Sequence, residues 1–323
     1  MSTTPPVPSA AAQGMTVVAR TQAQLVRRRF FRHRAAMSSM VLLIMVLLLA
    51  VTSIGAGPIP GWWDKSYTDI GLVEDGGRPT LSVVPAWLGG DGIRLGEYPF
   101  GQENQGIDYF ALTMRGTQIS LMIAFVAGLL GTFIGVVIGA VAGFFRGWTE
   151  TILMRFTDVI IILPLLALVA VLGRAAGNQG PLVLALVIAL FTWTGLARIV
   201  RGEFLSLREK EFVEAARAVG TPGARIIRKH ILPNTVGVII VSATLAVAGV
   251  VLLETALSFL GFGVQDPDTS LGRLVSDYQS SFGTRPWLFW WPGLFILVIA
   301  LTVNFIGDGL RDAFDPRQNK VRN

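Results

Sequence analysis

Six long apolar runs dominate the chain, at residues 38–55, 119–145, 151–173, 181–200, 235–258 and 288–308. Each is near the ~20 residues that a helix needs to cross a bilayer. The pattern predicts an all-α integral membrane protein with six transmembrane helices. The polar stretches between the runs differ in character. Residues 1–15 hold Ser, Thr, Pro, Ala and Gln and read as disordered. Residues 56–118 are rich in Gly, Pro and Trp, with little periodicity, and predict a loop-rich element packed on helix ends. Residues 262–287 form a second polar segment, with a short helix expected near 271–281. Residues 201–234 carry a helical pattern instead.

Charge orients these segments. Residues 1–37 hold six Arg and no acid, whereas 56–118 hold eight acids and four bases. The positive-inside rule places the N-terminus in the cytoplasm and 56–118 outside. The loop 201–234, with seven Lys/Arg against four acids, then falls inside. So does the tail 309–323, with Arg311, Arg317, Lys320 and Arg322. The first run has a long basic flank and no small-residue cleavage site, so it reads as a retained span. The expected organisation is a basic cytoplasmic segment 1–37, a first span with its outer loop 38–118, a core 119–308 and a cytoplasmic tail 309–323.

Composition narrows the function. The 323 residues are 52% hydrophobic and 15% charged, against about 25% charged in soluble domains. Cys is absent, which removes disulfides, Cys metal sites and a Cys nucleophile. The two His, His33 and His230, are far apart, so no metal site or His relay is expected. The net charge of +6 is distributed as topology requires. It speaks for a membrane-lipid neighbour and not for nucleic acid.

Several constellations stand out within the spans. Gly131, Gly135, Gly139 and Gly143 recur every four residues on one helix face. Small residues at this spacing let helices approach closely in lipid. Either a sliding contact or ordinary static packing satisfies the pattern. Arg155 and Asp158, three apart, can pair on a helix as a structural clamp. Pro164 removes a hydrogen bond and should kink the third span. Glu254 lies ~30 Å along the fifth span at ~1.5 Å per residue, near the outer interface. It reads as an outer-gate or docking residue, or as an interfacial carboxylate capped by water. Trp287, Trp290 and Trp291 read as an interfacial aromatic belt.

The loop 201–234 is the polar exception. Phe212, Ala216 and Val219 fall on one stripe of a helix. Gly220 should end that helix, and Thr221-Pro222 should start a second, basic one, with Pro222 at its first helical position. Leu232-Pro233-Asn234 should break it and begin the fifth span. A narrow apolar stripe flanked by mixed charge suits a groove in a partner. A basic amphipathic helix resting on anionic lipid is the alternative.

Here a resemblance enters. Glu214-Ala215-Ala216, then Gly220, then Leu232-Pro233 resembles the EAA loop of ABC-importer permease subunits. His230-Ile-Leu-Pro-Asn234 is similar to the form in the dipeptide/oligopeptide/nickel branch. Gly147 to Asp158, Glu254 to Gly263 and Asn304 to Pro316 match the same branch. The short basic N-terminus resembles the C-type of its two permease subunits. The segment before the second span departs from the family pattern Gly-Thr-Asp-x-x-Gly-Arg-Asp. Gly101, Gly106 and Asp108 match it, but Thr-Asp and Arg are replaced.

The resemblance implies a non-catalytic subunit of an ATP-driven peptide importer in the bacterial cytoplasmic membrane. It implies four kinds of partner: a second homologous permease forming a heterodimer, two ABC ATPases, an extracytoplasmic peptide-binding protein and membrane lipid. ATP and Mg would be bound by the ATPases. This chain holds no Gly-Lys dipeptide, hence no Gly-x-x-x-x-Gly-Lys phosphate loop. Phe212, Glu214, Ala215, Ala216, Gly220, Leu232 and Pro233 would couple to an ATPase. Glu254 and Asp108 would serve the outer gate or contact the binding protein. Nickel or glutathione are alternative cargoes. An ion-driven transporter is a further alternative, disfavoured because Asp158 and Glu254 lie near span ends.

Overall fold

The computed structural model describes residues 22–315, apart from 83–86, 88–91, 93 and 177–178. The expected disorder of residues 1–15 lies outside the described residues. So do Arg317, Lys320 and Arg322.

The apolar runs become helices. A short basic helix α1 (Gln22–Arg32) precedes α2 (Arg34–Ile54), which His33 caps by accepting the Ala36 N–H at Nδ1. A loop region follows, holding a two-stranded antiparallel ribbon, Gly55–Ala56 with Ile59–Pro60. Helix α3 (Tyr109–Phe145) begins well before residue 119, because Asp108 caps it and its polar first turns pack inside the protein. Four helices then pair end to end: α4 (Gly147–Ile162) with α5 (Leu165–Ala176), and α6 (Pro181–Thr192) with α7 (Thr194–Leu207). Next come α8 (Glu211–Ala218), α9 (Gly223–Ile226), a π turn at Ile227–Ile231 and α10 (Leu232–Phe259). The chain closes with α11 (Leu271–Tyr278), where a short helix is expected, a 3-10 turn and α12 (Trp287–Phe314).

Four helices are long and apolar enough to cross a membrane: Arg34–Ile54, Tyr109–Phe145, Gly223–Phe259 and Trp287–Phe314. The count is six if each bent pair is one span. The α4–α5 pair bends by 85° at Pro164, where the ring removes the N–H that would continue the helix. The α6–α7 pair bends by 43° with no proline at the break. There the Trp193 indole N–H donates to the Leu190 carbonyl at 2.7 Å. A side chain that occupies a carbonyl of the helical ladder is a recognised cause of a kink.

Leu232-Pro233 does not break the chain as expected. Residues 223–259 run as one helix. The π turn absorbs the proline: the Leu232 N–H reaches back to the Ile227 carbonyl, and the Asn234 side chain donates to the His230 carbonyl at 2.6 Å.

Helix α3 is the central element and packs on α2, α6, α7 and α10. The main hydrophobic core surrounds its N-terminal half. A smaller core surrounds its C-terminal end, built from Ala140 and Phe144 with residues of α7, α8, α9 and the π turn. The polar loop 201–234 therefore has an apolar anchor of its own.

Candidate functional site

Helix α8 is short and is held by one side. Glu211 and Glu214 occupy its first turn and Arg217 its last, which suits the helix dipole. Val213 and Ala216 are buried in the smaller core, and Arg217 lies over the Phe144 ring at 5.5 Å. Phe212 and Val219 are 42% and 80% exposed. The expected stripe of Phe212, Ala216 and Val219 is thus split. Phe212 in the first turn and Val219 at the C-terminal cap flank a buried Val213/Ala216 edge, because the short helix reaches its core from one side. Glu214, Ala215 and Pro233 are exposed, and Leu232 is half-buried. Gly220 has φ +74°, donates to the Arg217 carbonyl at 2.9 Å, and the Thr221 N–H donates to the Ala216 carbonyl at 3.0 Å. This paired closure uses a left-handed residue that glycine adopts without penalty. Pro222 precedes α9 as its cap and not, as expected, as its first residue.

At the opposite end of α3, Asp108 is 3% exposed. Its Oδ1 accepts from Phe110 N–H at 2.7 Å and Ala111 N–H at 3.2 Å, and its Oδ2 accepts from Trp63 Nε1 at 2.8 Å. Burial pushes its carboxyl above the ordinary aspartate value, while these donors pull it down. The replaced family positions also have work here. Gln102 is buried, accepts the Glu74 N–H and donates to the Leu72 and Gly106 carbonyls. Glu103 accepts from Gln105 N–H at 2.6 Å and from the Tyr278 hydroxyl at 3.3 Å. Burial and then the Glu103 charge hold the Tyr278 phenol well above its usual range. Asp108→Ala should lower stability by about 2 kcal/mol, from the lost cap and the orphaned indole. Asp108→Asn should lose about half that, because it keeps the capping oxygen but turns an N–H toward Trp63. Thermal unfolding in detergent reads the difference, and equal losses would exclude the helix cap as a contributor.

Glu254 is fully enclosed, not capped by water at an interface. Helix α11 folds back over it. The Ser258 hydroxyl donates to Oε1 at 2.7 Å and the Ser120 hydroxyl to Oε2 at 3.1 Å. The Ser120 oxygen in turn accepts the Leu271 N–H at 3.1 Å, and Ser258 contacts Ser270 at 3.3 Å. One carboxylate thereby ties α3, α10 and the start of α11 together. Direct contact of Glu254 with another protein would require α11 to move.

Charge also gathers between α4 and α7. Arg155 contacts Asp158 at 3.9 Å, but the shorter bond to Asp158 comes from Arg198 at 2.6 Å. Arg201 pairs with Glu150, through Nε at 2.7 Å and through its terminal nitrogen. Arg198 and Arg201, 40 and 51 residues away along the chain, were not anticipated. Nothing local in sequence links them to α4. On α7's C-terminal side, burial and then the charges of Arg217 and Arg146 lower the Arg208 guanidinium. Among the described residues, no three His, Asp or Glu side chains cluster as a metal site.

The four-residue glycine repeat faces the bent α6–α7 pair. A Cβ at Gly131 would lie 2.8 Å from Thr192 Oγ1, and one at Gly135 2.8 Å from the Trp193 carbonyl. At Gly139 and Gly143 it would lie 2.5 Å from the Ala197 carbonyl oxygen and 2.6 Å from Phe204 Cβ.

Comparison with known proteins gives this architecture a family. Residues 135–320 match the family described as "Binding-protein-dependent transport system inner membrane component". Residues 21–68 match the "N-terminal TM domain of oligopeptide transport permease C". The oligopeptide transport system permease protein OppC of Mycobacterium tuberculosis is 36% identical over 302 residues, 92% of this chain and 96% of that protein. The Escherichia coli (strain K12) protein of the same name is 36% identical over 303 residues, 94% of each. Among solved structures, the inward-facing MetNI methionine ABC transporter superposes with a TM-score of 0.52. It covers 63% of this chain and 96% of its own at 20% identity, a likeness of fold alone. The chain therefore belongs to the binding-protein-dependent transport system inner membrane components, in the oligopeptide permease C branch.

Proposed function

We propose that the chain is a six-span, non-catalytic translocation subunit of an ATP-driven peptide importer in the bacterial inner membrane. The near full-length match to oligopeptide permease proteins carries this reading. In it, both termini are cytoplasmic, and a second homologous permease completes the pathway. Two ATPases bind ATP and Mg on the cytoplasmic side, and α8 sits in the cleft of one of them. An extracytoplasmic peptide-binding protein delivers cargo to the Asp108/α11 end. The exposed Phe212–Val219 edge of α8, anchored from behind by Val213 and Ala216, supports the coupling role. A helix fixed on one face and apolar on another can sit in a partner's groove and pass its movement to the core.

The test uses the co-expressed complex in proteoliposomes. Gly220→Pro should lower peptide import roughly tenfold or more, since proline cannot take a positive φ or donate to Arg217. Glu214→Lys should have a similar effect on import, while costing the chain itself only ~0.3–1 kcal/mol at an exposed first turn. Both complexes should still co-purify with the second permease. Wild-type import by either variant removes α8 as the coupling element.

A further inference from the structure

The charges between α4 and α7 face outward from this chain. Arg155, Arg198 and Asp158 are 81%, 48% and 38% exposed. They sit within helices of the two bent spans. Arg198 is nine residues from the end of α7, or ~13 Å along the axis. Ionised groups at such positions do not face lipid; they look into protein or a water-filled cavity. Helix α4 divides accordingly. Glu150, Met154, Asp158 and Arg155 occupy one side, and exposed Ile152, Phe156 and Val159 the other. The charged side and α7 enclose an open cleft of about 380 Å³.

The cleft is not electrically closed. Three guanidiniums meet two carboxylates. Arg201 is matched by Glu150, and Arg198 by Asp158 at 2.6 Å. The surplus positive charge falls on Arg155, whose ion-pair contact is the longest of the set at 3.9 Å. A solvent-facing guanidinium presents a planar fork that fits a carboxylate with two parallel hydrogen bonds.

We infer that this cleft lines the translocation pathway and that Arg155 there binds the C-terminal carboxylate of the passing peptide. The inference rests on the peptide-import reading above. The paired Arg198 and Arg201 hold Asp158 and Glu150 in place, so neither acid neutralises Arg155 fully. Those acids also set a limit, because a ligand with further negative charge beside its terminus meets like charge.

The experiment uses the complete complex in proteoliposomes. Its binding protein is saturated with a tripeptide, either as the free acid or as its C-terminal amide. Wild type, Arg155→Gln and Arg155→Lys are compared. Arg155→Gln should reduce the acid-to-amide import ratio roughly tenfold from wild type, the scale of one charge-assisted contact. Arg155→Lys should restore part of it. An unchanged ratio overturns the inference. So does an equal loss for acid and amide, or a complex that no longer co-purifies, either of which makes this face a contact between permeases. If the wild-type complex imports neither peptide form, the peptide reading itself fails, and this inference with it.

Discussion

Gly139→Leu is expected to eliminate most folded, membrane-integrated protein. The first side-chain carbon alone would sit 2.5 Å from the Ala197 carbonyl oxygen, 2.8 Å from Val200 Cβ and 3.1 Å from the Arg201 nitrogen. Two of these are backbone atoms and the third is fixed to it, so none can swing aside. The α3 and α7 axes would have to separate, taking Gly135 and Gly143 out of contact as well. Overpacking costs ~1–3 kcal/mol where neighbours can adjust, and here adjustment breaks a contact that runs from Gly135 to Gly143. Lipid supplies no hydrophobic drive to close the gap again. Gly202→Ala on α7 is the matched control, because nothing lies within 4 Å of its Cβ position. Immunodetection of membrane fractions and detergent thermal stability read both. Wild-type abundance and melting of Gly139→Leu would contradict the close approach.

Glu254→Ala should be the second most damaging change, at about 2–4 kcal/mol. It deletes the acceptor shared by the Ser120 and Ser258 hydroxyls. It also leaves a void in a fully buried position. Because Ser120 is bonded to the Leu271 N–H, the loss reaches the first turn of α11. Glu254→Gln keeps the shape and one oxygen, and serine hydroxyls accept as well as donate. Its cost should be about 1 kcal/mol. Protease sensitivity of the 262–287 segment should rise in Glu254→Ala and stay near wild type in Glu254→Gln. Equal destabilisation by the two would mean that the serine bonds contribute nothing.

What was readable in the sequence follows the range of the physics. Hydropathy is local, so the apolar runs appear as helices near their expected positions. The proline kink at 164 is also local, whereas the bend at Trp193 depends on one indole choosing a carbonyl, which no residue type announces. Glycine spacing identified a close-packing face but not its partner, which lies about 60 residues on in sequence. Arg155–Asp158 was visible as an i,i+3 pair. The shorter bond from Arg198 was not, because it depends on how two bent spans cross. Distance along a helix placed Glu254 near its end, and could not reveal that α11 returns to cover it. At α8 the stripe marked the apolar residues. Only the direction of the core decided that Val213 is hidden and Phe212 is not.

The unbroken run from Gly223 to Phe259 has a mechanical consequence. It is a single strut of ~55 Å at ~1.5 Å per residue. One end rises directly from the turn that closes α8, and the other carries Glu254 beneath α11. A stiff strut pivoting within the bundle converts angle into distance: a tilt of about 5° displaces one end relative to the other by ~5 Å over that length. The π turn that absorbs Pro233 therefore preserves more than hydrogen bonding. A hinge at that point would let α8 rock without the far end noticing. Its absence makes the loop and the serine-caged carboxylate opposite ends of the same lever.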